Sequence, residues 1–336
     1  MTRARGRPAG TMIAILLAVF ALVTARAEEQ PITRLAFGSC NRPWLANPLW
    51  EPIRANQPQV WVWLGDIVYG DADMHHLAEL YARQKAKPEY RALLASCKVI
   101  GVWDDNDYGE SDGGADFSEK DESQKLLLDF LDEPADSPRR RQHGVYASYT
   151  FGPPGRQVKV ILLDGRYHRE EPGAHADLLG KEQWAWLEKQ LTDSPAQVHF
   201  IGSGSQVVAC EHWFEKWDDY PEARRRLFDL LAKTKPARPV ILSGDRHLGE
   251  ISRLEIPGLD APLYDITSSG MTHFFAPSLR SFFYNPHKEA NRYRVGDVFS
   301  GFNFGLIEIE WNKSSPRITA QVRDAQNAVR CEARVR

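Results

Sequence analysis

Six short polar signatures carry the side chains that could do chemistry: "GSCNRP" (38–43), "GDIVYGD" (65–71), "DDNDYG" (104–109), "DGRYHR" (164–169), "GSGSQ" (202–206) and "GDRHLGE" (244–250). They offer a thiol (Cys40), carboxylates (Asp66, Asp105, Asp107, Asp245), a phenol (Tyr69), an imidazole (His247) and a guanidinium (Arg166). Five acids fall within nine residues, Asp104, Asp105, Asp107, Glu110 and Asp112. Such a run suits a solvated loop or a cation site. Carboxylates favour hard cations, whereas thiolate and imidazole favour transition metals. A set holding both kinds points to two different metals. Cys40, Tyr69 and His247 form a mixed site, Asp105 and Asp245 an oxygen-rich one, and Asp66 can bridge them. Taken singly, each residue has a plainer role: Cys40 as a structural thiol or disulfide half, Tyr69 as a core aromatic, each Asp as a cap or turn former. His168, His175 and His212 are read as surface or core histidines. What sets a site apart from these single roles is that the signatures occur together.

The elements that would position them are short apolar runs: 32–38, 59–65, 97–103, 157–163, 197–202 and 238–243, rich in Val, Ile and Phe. These read as buried strands. Helical patterns lie between them, among them "SEKDESQKLLLDFL" (118–131), which opens with an expected capping box of Ser118 and Asp121. "LYDITS", "NFGLIEIEW" and "RITAQVR" add later strands with few helices between. The pattern predicts one undivided α/β domain with at least one mostly parallel sheet. Each of the six runs is followed at once by a signature. Ligands of parallel α/β folds bind at the carboxyl ends of strands, so the six signatures should converge on one rim.

The chain opens with Arg3, Arg5 and Arg7, then twelve apolar residues from Met12 to Val23, then "ARA" at 25–27. This is the pattern of a secretory signal, and the apolar run is too short to span a bilayer comfortably. The expected division is a signal peptide at 1–27 and one folded domain at 28–336, placed in the periplasm or outside the cell after cleavage near Ala27. Cleavage removes four arginines and no acids, leaving 38 basic against 45 acidic side chains. That balance argues against a general nucleic-acid surface. No later run is apolar enough for a membrane span, and the oligomeric state is not legible. Four cysteines, Cys40, Cys97, Cys210 and Cys331, would allow two disulfides in an exported protein.

The segments "FGSCNRP", "WLGDIVYGD", "YARQKAKPEYRALLASCKVIGVWDDNDYG", "LLDGRYHR", "EQWAWLEKQL" with "GSGSQVV", "PVILSGDRHLGE" and "YDITSSGMTH" run in order from 37 to 273. In this combination the chain resembles the alkaline phosphatase D (PhoD-like) family of calcineurin-like metallophosphoesterases. The resemblance implies an α/β sandwich of two packed β-sheets flanked by helices. It implies a dinuclear centre of Fe3+ and Ca2+. Cys40, Tyr69 and His247 would bind iron, Asp105 and Asp245 calcium, and Asp66 both. Cys40 would then be no disulfide partner, leaving at most one bridge. Asp107 would orient its neighbour, and Asp112 would close the calcium shell directly or through water. The implied activity is that of an alkaline phosphatase or phosphodiesterase, hydrolysing phosphate mono- or diesters by a metal-bound hydroxide, with Arg166 gripping a non-bridging oxygen. A salt bridge to Asp164 is the plainer role for Arg166.

One position departs from the family pattern, which reads "DDHDYG". Here residue 106 is Asn106, which donates a hydrogen bond but supplies no proton. His273 is the candidate substitute acid. "GSGSQ" is not a serine-hydrolase elbow, because Gln206 stands where glycine is required. A non-catalytic calcium-binding or cell-surface interaction domain on the same fold would explain the acids, but not Cys40, Tyr69 and His247 together. The aromatic and basic stretch 273–294 reads as a lid over the site or as ordinary packing. The residues do not discriminate among monoester, diester and phospholipid substrates. Mass spectrometry of the exported protein is expected to find an N-terminus at or near Glu28; an intact Met1 on a membrane-bound product would contradict the signal.

Overall fold

The computed structural model describes residues 30–70, 72–275, 284–312 and 315–335. The leader at 1–27 and the middle of the aromatic stretch, 276–283, lie outside the described residues.

Two six-stranded sheets form the molecule. In the first, β1 (Arg34–Gly38), β2 (Val60–Leu64) and β3 (Lys98–Val102) are parallel. β10 (Asn303–Trp311), β11 (Pro316–Asp324) and β12 (Val329–Val335) extend it antiparallel from β1, in the order β12-β11-β10-β1-β2-β3. The second runs β4-β5-β6-β7-β9-β8. Its inner strands β5 (Val158–Leu162), β6 (Val198–Ser203), β7 (Pro239–Ser243) and β9 (Leu263–Ser268) are parallel. Antiparallel β4 (Ala147–Phe151) and β8 (Gly249–Leu254) close its edges. All six apolar runs are strands, and the expected two-sheet sandwich is present. The three strands without a sequence signal, β4, β8 and β12, are sheet edges whose polar residues dilute the apolar alternation.

Residue alternation along a strand sends neighbours to opposite faces. β2 is buried throughout, and it splits accordingly. Trp61 and Trp63 pack with Trp50 at ring separations of 5.8 Å, under α1 (Trp50–Ala55), while Leu64 faces the second sheet across Gly202. A Cβ on Gly202 would sit 2.9 Å from Leu64 Cδ2, so this glycine sets how closely the sheets approach. Helices α2 (Met74–Ala86), α3 (Pro88–Leu94) and α5 (Lys120–Phe130) accompany the first sheet, and α6 (Gly180–Leu191) and α7 (Pro221–Thr234) the second.

Two local expectations are corrected. The capping box at Ser118 and Asp121 does not form. α5 has Glu119 at its N-cap with no side-chain cap bond, and Asp121 instead accepts a hydrogen bond from Tyr167 Oη. A capping box forms in the acidic run, where Asp104 caps the single turn α4 (Asp105–Tyr108) and Asp107 returns the bond. The four cysteines are all unpaired. Cys331 is buried on β12, donating to the Asp297 carbonyl at 3.2 Å, while Cys97 lies past α3, so no bridge forms in this fold. Among the described residues no helix is long and apolar enough to cross a membrane.

Gly65 ends β2 with φ +82°, and a Cβ there would lie 2.3 Å from Asp104 Cβ. This glycine lets the acidic run dock against the end of β2. Gly65→Ala should therefore destabilise the protein by about 1–3 kcal/mol, from overpacking and a left-handed backbone that alanine disfavours. Urea unfolding measures it, and a change within about 0.5 kcal/mol, as at an ordinary surface site, would contradict the docking.

Candidate metal centre

The strand ends deliver the candidate ligands through tight turns with unusual backbone. Cys40, Asp66, Asp245 and His247 have φ of 62°, 52°, 65° and 52°. Non-glycine residues seldom adopt this left-handed region, and it persists where surroundings over-determine it. Those surroundings are on hand. Asn41 donates its Nδ2 to the Ile67 carbonyl (3.0 Å) and to Gln84 Oε1 (2.9 Å), and its N–H to the Asp66 carbonyl. The turn after β9 adds a third side, with Thr272 N–H donating to the Cys40 carbonyl and Thr272 Oγ1 accepting from Arg42 N–H at 2.7 Å.

Two donor groups result. Cys40, Asp66 and His247 place one ligand atom each within 4.8 Å of one another, as do Asp66, Asp105 and Asp245. Tyr69 joins the first group, its Oη donating to Asp66 Oδ2 (2.9 Å) and lying 3.5 Å from His247 Nε2. Asp66 is common to both groups. This geometry suits a mixed sulfur, nitrogen and oxygen site sharing a carboxylate with an all-oxygen site.

The electrostatics ask for the same thing. Burial raises Asp66 well above the usual carboxylate range, and Asp105 beside it adds to the rise. Burial, with Asp105 and Glu215 near, pushes Asp245 up to about 7. Cys40 and Tyr69 are raised too, by burial first and then by Asp66. His247 is pushed down to about 4 by burial and by Arg42. A protein without cations thus resists ionising its own ligand set, and bound cations reverse that order.

The remaining expected residues fall around this core. Asp107 accepts from the backbone N–H groups of Asp66 (3.0 Å), Ile67 (3.1 Å) and Asp104 (2.7 Å). It therefore orients two ligand-bearing turns through their backbone, rather than a neighbouring side chain. Asn106 donates Nδ2 to Asp66 Oδ1 (3.1 Å) and Asp105 Oδ1 (2.8 Å), between the two donor groups. Asp112 is exposed and donates its backbone N–H to Asp105 Oδ2 (2.9 Å).

Arg166 differs from expectation. Its guanidinium is 1% exposed, with Nε donating to Asp104 Oδ1 (2.7 Å) and Nη1 to Glu215 Oε2 (2.9 Å). Its fork pairs with the buried Asp104 and the partly buried Glu215. Asp164 takes only its backbone N–H (2.8 Å). His273 does reach the centre, with Nε2 3.0 Å from Tyr69 Oη and 3.1 Å from His247 Nε2. Burial, then His247 and Arg42, push it down to about 3, which favours the neutral imidazole over the protonated form.

The sequence reading missed Arg42, although it lies two residues beyond Cys40 in the same signature. Its guanidinium stands 4.8 Å from the Tyr69 ring centre. Its Nε is buried without a hydrogen-bond partner, and among the described residues no carboxylate pairs with it. Glu215 and Asp104 were missed as well, because their role exists only once Arg166 folds between them.

These shifts set a pH dependence. In protein stripped of metal, Asp107 and Asp245 titrate near 7 when folded and near the ordinary value of about 4 when unfolded. At these two carboxyls the folded state then binds more protons across that interval, so their contribution to stability falls as pH rises from about 4 to about 7, while His247 and His273, pushed below the ordinary imidazole value, contribute in the opposite sense. Carboxyl-carbon NMR of chelator-treated, folded protein isolates the two acids and should find Asp107 and Asp245 titrating near 7. Either carboxyl titrating near 4 in the folded, stripped protein would contradict the assignment.

The family model of PhoD-like phosphatases matches residues 35–301. A search of curated proteins finds no match. Among solved structures, the chain is similar to PhoD, with a TM-score of 0.67 and 15% identity over 92% of this chain and 72% of that one. It is similar to GAP50, the anchor in the inner membrane complex of Plasmodium, with a TM-score of 0.59 and 13% identity over 91% and 89% of the two chains. A dimetal phosphatase from Danio rerio aligns with a TM-score of 0.56 and 14% identity over 91% and 99%. At these identities the three structures bear on the fold, while the family match spans most of the chain. The protein belongs to the PhoD-like phosphatase family of metallophosphoesterases.

Proposed function

We propose that the protein is an exported hydrolase of phosphate mono- or diesters, with Fe3+ held by Cys40, Tyr69, His247 and Asp66, and Ca2+ held by Asp66, Asp105 and Asp245. The observation that carries this reading is the pair of donor groups sharing Asp66. When bound, such a pair of cations activates water as a nucleophile at neutral pH and draws charge from phosphoryl oxygens.

The chain's own residues supply the rest. Arg42 takes the role that the sequence suggested for Arg166. Its guanidinium, unpaired with any carboxylate among the described residues, grips a non-bridging oxygen beside Tyr69. Arg166 keeps Asp104 and Glu215 neutralised beneath the site. Asp107 holds the Asp66 and Asp104 turns in register. His273 fixes the Tyr69 hydroxyl through its 3.0 Å contact. Asn106 stands where the family carries histidine, and its amide can bond to the departing group without protonating it. The leaving oxygen therefore departs with most of its negative charge, and acidic leaving groups are favoured. A non-catalytic calcium-binding domain would leave the Cys40, Tyr69 and His247 half without work.

The test is a plot of log(kcat/KM) against leaving-group pKa, for protein loaded with iron and calcium and for protein stripped of them. The loaded protein should hydrolyse aryl phosphates well and alkyl phosphates poorly, and the stripped protein neither. Asn106→His should flatten the slope and speed alkyl esters by up to roughly 10²–10⁴-fold. A loaded protein that turns over no phosphate ester refutes the reading. Equal slopes for the two proteins show that another residue supplies the proton.

A further inference from the structure

Beyond β6 the chain runs His212-Trp213-Phe214-Glu215 along the rim. Glu215 turns inward, to Arg166 at 2.9 Å and Arg169 at 3.3 Å. Phe214 lies 5.4 Å from Phe275 and 5.0 Å from Tyr284, ring centre to ring centre, and the Arg246 guanidinium sits 4.5 Å from its own ring centre. Phe275 is 5.1 Å from the ring of His247. Trp213 completes the row, stacked on Phe214 at 4.4 Å and 28°. A continuous line of rings therefore runs from a candidate metal ligand outward to Trp213.

Trp213 is 75% exposed, the most exposed large apolar side chain among the described residues. An indole left in water forgoes a large burial, because each aromatic side chain can bury 150–250 Å². Phe214 covers one of its faces and the Tyr284 ring stands edge-on at 6.4 Å, and among the described residues no ring stacks on the other face. The row beneath is held from behind. Arg246, fully buried, donates to Gln206 Oε1 (3.2 Å), Tyr284 Oη (3.1 Å) and Glu289 Oε1 (2.5 Å), so Tyr284 is tied by a hydrogen bond and Phe214 rests against a fixed guanidinium. An open ring face, braced by a second ring and joined by contact to the metal centre, is a stacking surface ready before ligand arrives.

We propose that Trp213 is the platform on which a flat aromatic substituent of the phosphate ester stacks while the phosphoryl group is held at the metal centre. This rests on the phosphoesterase reading above and names the substrate class: esters carrying an aryl or heteroaromatic ring. A π-face recognises such a ring by offset stacking, whatever the acidity of its hydroxyl. The preference is therefore separate from the leaving-group effect of Asn106.

The experiment compares phenyl phosphate with a fluoroalkyl phosphate matched to it in leaving-group pKa, on the metal-loaded full chain. The ratio of the two kcat/KM values should fall about tenfold in Trp213→Ala and stay largely intact in Trp213→Phe, which keeps a ring. Calorimetry gives a second readout without turnover: phenylphosphonate should bind the unaltered protein about tenfold more tightly than methylphosphonate, and Trp213→Ala should erase that difference. An unchanged ratio in Trp213→Ala overturns the platform and spares the phosphoesterase reading. An equal loss on both esters also overturns it, since Trp213 would then support the fold or the metals. If the unaltered protein hydrolyses neither ester, the phosphoesterase reading falls, and the phosphonate comparison still decides the platform.

Discussion

Like charge packed at the end of two sheets is the constraint on which the rest of this structure depends. Asp66, Asp104, Asp105 and Asp107 are all buried where β2 and β3 end, with Asp245 opposite them at the end of β7. Two like charges 4 Å apart repel by about 4 kcal/mol at an effective protein dielectric, so this arrangement needs positive charge or protons. Arg166 answers for Asp104, and backbone N–H groups answer for Asp107. Asp66, Asp105 and Asp245 have no basic side chain bonded to them among the described residues, and these three share one of the two donor groups. The acids that structure can satisfy internally are the supports. Those it cannot satisfy are the ones suited to hold cations.

That division also explains the strain. Four candidate ligands keep left-handed backbone at non-glycine residues, which chain energetics alone disfavour. The conformations are enforced by bonds between turns: Asn41 to the turn after β2, Thr272 to the turn after β1, and Asp107 to both Asp66 and Asp104. The turns bearing Cys40 and Asp66 are thus held by bonds from other turns, which ties their geometry to the packing of the strand ends. The glycines belong to the same logic. Gly65 and Gly204 clear space for Asp104, and Gly244 clears it for the Leu64 carbonyl and Ser39. Side chains at these places would push the strand ends apart before any ligand met its partner.

The rim is asymmetric around this centre. On one side the acidic segment 110–116 and Arg169 border a cavity of about 480 Å³ that also reaches Glu215. On the other side the wall is aromatic, from His247 through Phe275 and Phe214 to Trp213. Glu215 and Phe214 are adjacent in sequence and face these two sides. A single loop after β6 thus sets both the charge balance under the donor groups and the apolar surface beside them.

Much of this was legible in the chain itself. Strands at the six apolar runs follow from β-branched and aromatic residues in short blocks, and the placing of polar signatures after each run follows from the rule that parallel strands present ligands at their carboxyl ends. The ligand chemistry could be read because a thiol, a phenol, an imidazole and several carboxylates at such positions have few other uses together. Tertiary structure alone decided which charges pair. Arg166 sits 62 residues from Asp104 and 49 from Glu215 in the chain, and no local pattern says that it lies between them. The same holds for Arg42, which pairs with no carboxylate among the described residues, and for Trp213, whose exposure depends on what Arg246 holds in place beneath it. Residue type and period are local properties, so sequence carries them; pairing and exposure are set by residues far apart along the chain, and only packing brings these together.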